Sequence, residues 1–394
     1  MSITPHDERF MAAAIRLSRQ HLGRTATNPS VGCLIVRDGV IVGRAVTAVG
    51  GRPHAETQAL AEAGALARGA TAYVTLEPCS HHGRTPPCAE ALIAYGVARV
   101  VISVTDPDPR VSGRGIGMLR EAGIEVDASV LETDGRRSLA GYLTRQTKNR
   151  PYVTLKLAVS ADGMIGRKGE GQVAITGPLA RAQVHALRAE TDAILVGIGT
   201  ALADDPELTV RLPGLDAQSP IRIVLDPSLA LPLSGKLVQT AREVPVIAVA
   251  SEEISLLQAE GLPPSAQPIS PPVGEMPGRA EGGDSPTDME SRRAALEAAG
   301  VEIVYCNPYH PEILLPALAT RGISSLLVEG GAKAARLFLE AGLVDRIQLY
   351  QAPVVIGKDG IESPLQATNI PSDFAHMGTQ MFGGDRLDEY ERGL

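Results

Sequence analysis

His54-Ala55-Glu56, then Glu77-Pro78-Cys79, then, after eight intervening residues, Cys88: this part of the 394-residue sequence decides how the rest is read. One imidazole and two thiolates suit Zn²⁺, one per chain. Three protein ligands leave the fourth tetrahedral position to a water, which is the catalytic rather than the structural arrangement. The metal lowers the pKa of that water toward neutrality. A carboxylate two residues from the ligand histidine can take the water's proton and return it to a leaving amine, and Glu56 holds that position. His54, Cys79 and Cys88 are therefore the expected metal ligands and Glu56 the expected catalytic residue. Four cysteines in so long a chain form no disulfide framework. Cys33, inside the apolar run Val31–Val36, and the isolated Cys306 read as small buried hydrophobes.

Around this constellation helix and strand signals alternate. Phe10, Ala14 and Leu17 recur at helical spacing between Asp7 and His21. The runs VGCLIV and VIVGRAV flank Asp38-Gly39, a two-residue hairpin turn. A helix is expected over about 55–67, a strand over 72–76, a helix over 88–95 and a strand over 99–104, so elements should layer on one sheet. The polar stretch Thr144–Arg150 ends at Pro151, and the strand-like YVTLKLAVS follows. The border between a first domain, 1–148, and a second, 151–394, is placed there. The second region carries strand signals at 193–196, 221–225, 246–249, 302–305, 325–328 and 346–355, interleaved with helices at 179–189 and 332–341, which predicts a mostly parallel sheet. The proline-rich segment 262–287 reads as a mobile surface loop. From Glu362 onward little patterning shows beyond a final strand, and no internal repeat is present.

Composition narrows the substrate. The net charge is −8 and the chain has eight Tyr, four Phe and no Trp, whereas nucleic-acid binding draws on basic surfaces and aromatic platforms. A nucleotide-sized substrate fits better than a polymer. No apolar run reaches the ~18–20 residues of a membrane span, and the first ten residues lack the order of a signal peptide; a cytoplasmic protein with no membrane partner is expected. A homo-oligomer is compatible with the sequence. In the second region, Leu326-Leu327-Val328-Glu329-Gly330-Gly331-Ala332 reads as a strand, a glycine turn and a helix start, where backbone amides can receive a phosphate.

H-A-E with P-C and a second Cys resembles the cytidine-deaminase superfamily, although an eight-residue gap replaces the usual two-residue cysteine spacing. With EPCSHHGRTPPC and ATNPSVGCLIV in the first half, and LKLAVSADGMIG, TDAILVGIGTALADDPELTVR and LLVEGGAKAARLFLEAGLVD in the second, nearly the whole chain resembles the bifunctional deaminase/reductase family of riboflavin biosynthesis. The resemblance implies an α/β fold with a cytidine-deaminase-like α/β/α domain and a dihydrofolate-reductase-like domain. It implies a small-molecule pyrimidine ribotide as substrate: 2,5-diamino-6-(ribosylamino)pyrimidin-4-one 5′-phosphate is deaminated, and its ribosylamino group is then reduced to ribitylamino by NADPH.

Matched residue by residue, Asn28, His82 and Arg84 would meet the substrate of the first reaction. In the second domain NADPH contacts would fall on Ala158, Ala174, Thr200, Asp204 and the run Gly331-Ala332-Lys333-Ala334-Ala335-Arg336-Leu337. Substrate contacts would fall on Gln172, Arg188, Leu208, Arg211 and Glu329, with Arg188 and Arg211 as phosphate clamps. Lys156 shares a strand face with Ala158 and Ser160 by the two-residue period, which turns it toward the reducing centre. The sequence departs from the family pattern at Thr47, Asp108, Gln172, Ala174 and Pro227. A zinc deaminase of tRNA or DNA bases shares the same motif chemistry, and a monofunctional deaminase with a degenerate reductase domain would explain Ala174 and Pro227. The acidic charge, scarce aromatics, long inter-cysteine loop and appended reductase blocks favour the free nucleotide.

Overall fold

The computed structural model describes residues 3–82, 86–108, 112–251 and 286–393. Two sheets organise them. In the first, β1 (Gly32–Arg37), β2 (Val40–Val46), β3 (Thr71–Leu76), β4 (Arg99–Val104) and β5 (Glu125–Asp127) lie in the order β2-β1-β3-β4-β5. β1 pairs antiparallel with β2 and β3, whereas β3, β4 and β5 run parallel. The hairpin turn is where the sequence places it, because Asp38 and Gly39 both take positive φ, at 51° and 77°.

Alternation along the strands builds the layers. Cys33, Ile35, Val74 and Ile102 face one side and pack on α2 (Ala55–Ala63) and α3 (Cys88–Tyr95); Leu34, Val36, Tyr73 and Val101 face the other and pack on α1 (Pro5–Ser18). Cys33 is fully buried, as expected of a small hydrophobe. Three further helices complete this region: α4 (Arg114–Glu121), α5 (Glu132–Ser138) and α6 (Ala140–Lys148). The polar stretch at which the domain border is placed thus belongs, as far as Lys148, to a helix. It stops at Asn149, whose φ of 51° is the left-handed conformation of a helix end.

The second sheet has nine strands. They are β6 (Tyr152–Val159), β8 (Ala193–Gly197), β9 (Ile221–Leu225), β10 (Val246–Ala250), β11 (Val301–Tyr305), β12 (Ser325–Glu329), β13 (Arg346–Gln351), β15 (Phe374–Phe382) and β16 (Asp385–Arg392), while β7 (Met164–Arg167) and β14 (Gly360–Glu362) form a separate small pair. The order is β11-β10-β9-β8-β12-β6-β13-β16-β15. It is parallel as far as β13 and antiparallel beyond. The helices are α7 (Pro178–Ala189), α8 (Ile198–Asp204), α9 (Lys236–Gln239), α10 (Pro286–Ala299), α11 (Pro311–Thr320) and α12 (Ala332–Glu340). Cys306 is buried in this core.

Three expectations need correction. β13 ends at Gln351 rather than Val355, because Pro353 cannot donate to a ladder. The weakly patterned tail folds into a long hairpin of β15 and β16. Of the proline-rich segment, Pro286 and Thr287 open α10 and the rest lies outside the described residues.

The first region docks on the N-terminal ends of the parallel strands, where Tyr152, Asp192 and Ser325 begin or precede β6, β8 and β12. The ion pairs Arg19–Glu190 (3.0 Å) and Arg137–Glu391 (3.2 Å) join the two regions at their rim. Among the described residues no helix is long and apolar enough to cross a membrane.

Candidate active sites

His54 is the extended residue immediately before α2, which puts Glu56 in the first turn of that helix. Cys79 follows β3 and Cys88 opens α3, so two helix starts and one strand end converge. His54 Nδ1 lies 3.7 Å from Cys79 Sγ and 3.4 Å from Cys88 Sγ. All three ligand atoms fall within 4.8 Å of one another. Zn–S bonds of about 2.3 Å and Zn–N bonds of about 2.0–2.1 Å set a tetrahedral N···S edge near ~3.5 Å, and the observed distances bracket it. The residues present therefore fit zinc.

The Cys88 backbone N–H donates to Cys79 Sγ at 3.3 Å. Hydrogen bonding by the Cys88 thiol, more than any other influence, brings the Cys79 thiol down to about 4, a thiolate suited to a metal. Burial pushes the Glu56 carboxyl up to about 7, with the Cys79 charge adding to the effect. A carboxyl poised there can accept and return a proton near neutral pH.

A cavity of about 250 Å³ opens over this cluster. Asn28 stands on its wall. His82 does not: its side chain is 70% exposed and pairs with Glu90 at 2.9 Å, and His81 lines the cavity instead. Arg84 lies outside the described residues. Thr47 reaches the cavity, and its hydroxyl accepts the Val31 N–H at 2.9 Å.

Several cavity residues were not read from the sequence. Tyr142, Arg145 and Gln146 all come from α6, and their i, i+3, i+4 spacing marks one helix face that could have been recognised. Asp106 accepts from Tyr142 Oη (3.0 Å) and from the Asp108 N–H (2.9 Å). Glu77 accepts four backbone N–H groups, from Asp106, Gly113, Gly115 and Ile116, and so anchors the start of α4 beside the cavity.

In the second region, β12 ends at Glu329, and Gly330 (φ 82°) and Gly331 (φ 76°) lead into α12. A Cβ on Gly331 would stand 2.7 Å from Thr200 Oγ1 of α8, so only glycine fits between them. Because β8 and β12 are neighbours, α8 and α12 start side by side. Two helix starts with a glycine cradle fit a dinucleotide phosphate. Lys333 and Arg336 are exposed on α12, while Ala334 and Ala335 bury against the sheet and Leu337 packs on the same core. Ala158 lies on β6 and is half-buried. Asp204 ends α8, where burial raises its carboxyl. Gln172 and Ala174 are exposed on a segment that approaches α8, since a Cβ on Gly171 would lie 3.1 Å from the Ala203 carbonyl oxygen.

Glu329 is the hub of the expected substrate residues. Arg188 donates to its Oε2 from Nη2 at 2.7 Å and from Nε at 3.0 Å, and Lys156 Nζ lies 3.7 Å from Oε1. Burial alone would raise the Glu329 carboxyl, but the charges of Arg188 and Lys156 outweigh it and hold the carboxylate ionised. Burial lowers Lys156, against the pull of Glu329. Arg188, one of the two expected phosphate clamps, gives Nε and Nη2 to Glu329 and Nη1 to the Thr209 carbonyl. Arg211 stays exposed, its guanidinium paired with Glu207 at 2.8 Å and 3.4 Å from the Thr209 hydroxyl. Leu208 turns its side chain into the core at a positive φ of 56°, so it presents backbone rather than side chain to a ligand.

The comparisons with known proteins agree with this geometry. The RibD C-terminal domain matches residues 151–386. The chain belongs to the RibD family. The cytidine and deoxycytidylate deaminase zinc-binding region matches residues 4–104. The chain is 39% identical to the riboflavin biosynthesis protein RibD of Escherichia coli, covering 90% of this chain and 89% of that one, and 38% identical to that of Aquifex aeolicus, covering 89% and 88%. Acinetobacter baumannii RibD superposes with a TM-score of 0.79 at 32% identity, covering 99% of each chain. A diaminohydroxyphosphoribosylaminopyrimidine deaminase/5-amino-6-(5-phosphoribosylamino)uracil reductase from Thermotoga maritima also gives 0.79 at 32%, covering 98% and 99%. As a RibD protein this chain is a bifunctional deaminase and reductase of riboflavin biosynthesis, with zinc and NADPH as its cofactors.

Proposed function

We propose that residues 1–148 carry out the deamination and residues 151–394 the reduction, on a free pyrimidine ribotide rather than a polymer. The substrate of the first step is 2,5-diamino-6-(ribosylamino)pyrimidin-4-one 5′-phosphate. The observation that carries this reading is the convergence of His54, Cys79 and Cys88 beneath a polar cavity with Glu56 poised beside them. Zinc, when bound by these three residues, supplies a polarised water that is nucleophilic at neutral pH.

Glu56 takes a proton from the attacking water as its oxygen bonds to C2 of the ring. It then delivers that proton to the amine as the C2–N bond breaks and ammonia leaves, and the proton remaining on the new C2 hydroxyl passes to the adjacent ring nitrogen, leaving a carbonyl. Asn28 hydrogen-bonds the pyrimidine from the facing wall, and Arg84, on the loop between the cysteines, holds the ring or the phosphate. The acidic charge and the limited cavity volume support a single nucleotide-sized ligand.

In the second step NADPH supplies the hydride that turns the ribosylamino group into ribitylamino. Gly331 and the start of α12, with Thr200, Asp204, Ala158 and Ala174, cradle the cofactor. Lys156 and Glu329 face the reducing centre with Gln172 and the backbone at Leu208 alongside, and Arg211, the exposed arginine, is the better placed of the two for the substrate phosphate. Arg188 fixes the Glu329 carboxylate. With NADPH as reductant, the cytoplasm is the proposed place of action.

Ammonia release and NADPH oxidation, followed on the purified zinc-loaded chain given the diaminopyrimidine phosphate, test both halves. Ammonia without NADPH present, then NADPH oxidation on its addition, is the expected sequence. No ammonia from folded, zinc-loaded protein would sink the assignment.

A further inference from the structure

We infer that Asp192 is a positioning residue for deamination: from the reductase region it fixes the loop on which two walls of the deaminase cavity rest. Those walls are the Thr27–Asn28 turn and helix α6, neither of which contributes a metal ligand.

Asp192 Oδ2 accepts from the Ser324 N–H (2.9 Å), the Ser325 N–H (2.8 Å) and the Ser325 hydroxyl (2.9 Å), and its own N–H donates to Ser325 Oγ at 2.9 Å. These bonds hold Ser324 and Ser325 where residues 322–325 lead into β12. The deaminase walls touch that loop with almost no clearance. A Cβ on Gly141, at the start of α6, would stand 3.0 Å from the Ser324 carbonyl oxygen; a Cβ on Gly322 would stand 3.0 Å from Thr27 Cγ2. A third approach lies one residue upstream of Asp192, where a Cβ on Gly23 would be 2.9 Å from the Thr191 carbonyl oxygen.

Arg145 of α6 then ties the walls together by donating to the Thr27 carbonyl. Burial weakens the hold of Arg145 on its proton, and the Asp192 charge across the boundary offsets part of that cost. Thr27 is the partition between the zinc cavity and a second one of about 270 Å³, which Asp192, Arg321 and Gly322 line. The Thr27–Asn28 turn is closed from within its own region, where the Thr25 hydroxyl donates to the Asn28 carbonyl at 2.7 Å and the Asn28 N–H to the Thr25 carbonyl at 3.1 Å, and the loop contacts fix the side of it that faces the second cavity. A misplacement of about 1 Å in groups that orient a substrate can cost ~10²-fold.

Asp192 is remote from the reduction itself. It precedes β8, whereas Thr200, Glu329 and Gly331 lie at the carboxyl ends of the same parallel strands, where ligands of such sheets bind. The inference rests on the cavity being the deaminase site, and the two can fail separately.

The test uses the full zinc-loaded chain and the variants D192A, D192N and S325A, with deamination read as ammonia release and reduction as oxidation of NADPH with preformed deaminated intermediate. D192A is expected to raise the deaminase KM about tenfold, with its kcat and the reductase kcat/KM held within about twofold of wild type. D192N keeps an acceptor for the two amides and should recover most of the KM; S325A should shift KM in the same direction by less. An unchanged deaminase KM in folded D192A overturns the inference. So does an equal loss of both reactions that D192N fails to rescue, which would mark plain scaffolding. If D192A does not fold, unchanged KM in both D192N and S325A overturns it equally. Absence of ammonia from the wild type would instead sink the reading of the cavity.

Discussion

Arg188 holds Glu329 through two guanidinium nitrogens on one carboxylate oxygen, at 2.7 and 3.0 Å, while Lys156 stands 3.7 Å from the other oxygen. One buried anion thus balances two cations that are themselves largely shielded from solvent. Glu329→Gln removes that anion and leaves both cations without their partner, a loss on the scale of 3–5 kcal/mol for a buried pair. NADPH oxidation by the variant is expected to fall by at least ~10²-fold, while ammonia release stays within about twofold. Steady-state kinetics of both reactions on one preparation check this, and a variant that still oxidises NADPH normally would remove Glu329 from the site.

Glu56→Gln should keep zinc at one equivalent and lose ammonia release by at least ~10²-fold, the scale of a lost general acid–base group. His54→Ala should instead lose the metal, because one of three ligands is gone. Zinc content by elemental analysis beside the rate separates the two, and turnover by a zinc-replete Glu56→Gln protein would refute the proton-shuttle role.

Gly331→Ala places a methyl group 2.7 Å from Thr200 Oγ1 at a φ of 76°, so both a clash and backbone strain oppose it. The KM for NADPH is expected to rise about tenfold or more, consistent with the ~1 kcal/mol or more of a left-handed non-glycine residue plus the clash. Adding Thr200→Ala removes the clash but not the strain, so the double variant should recover only part of the loss. Full NADPH affinity in the single variant would show that the turn has more room than its geometry indicates.

Acid should selectively remove the contribution of Asp7. Its buried carboxylate accepts from Arg99 Nη1 (2.7 Å), Tyr73 Oη (2.8 Å) and the Thr4 hydroxyl (2.7 Å) and joins α1 to β3 and β4. Burial would raise this carboxyl, but the bonds from Arg99, Thr4 and Tyr73 outweigh it and hold it well below the usual carboxylate range. Stability from a depressed carboxyl is present above its unfolded pKa, about 3.9, and is lost as pH falls toward the folded value. Asp7→Asn should therefore be less stable at pH 7 by about 1.5–3 kcal/mol, the range for a bond to a charged group, with the gap narrowing below about pH 4. Denaturant midpoints across pH show it; a gap constant from neutral pH to about pH 3, roughly one unit below the ordinary aspartate value, would contradict it.

Much of the metal centre was legible because it is written in local terms. His54 and Glu56 are two residues apart at a helix start, and Cys79 and Cys88 bracket one loop, so residue type and spacing identify them before any packing is considered. The hairpin at Asp38-Gly39 was readable for the same reason, since its turn needs positive φ at two adjacent positions. The long hairpin of β15 and β16 was not. Most of β15 is exposed and carries no regular alternation, and its pairing depends on a partner strand already held against β13. His81 and His82 are adjacent and chemically alike, and only the fold of the loop decides that one lines the cavity and the other meets Glu90.

The sequence by itself determined the His-Cys-Cys set, the carboxylate two residues from its histidine, the glycine turn before α12 and the alternation of helix and strand in both regions, because each is fixed by the covalent neighbourhood of a few residues. The tertiary structure alone decided that α6 walls the cavity over the metal cluster, that Arg188 meets Glu329, and that a loop held by Asp192 lies beneath Thr27. Each of these joins residues far apart in the chain, and their meeting depends on how two separately built sheets dock. No local pattern of residues encodes that distance.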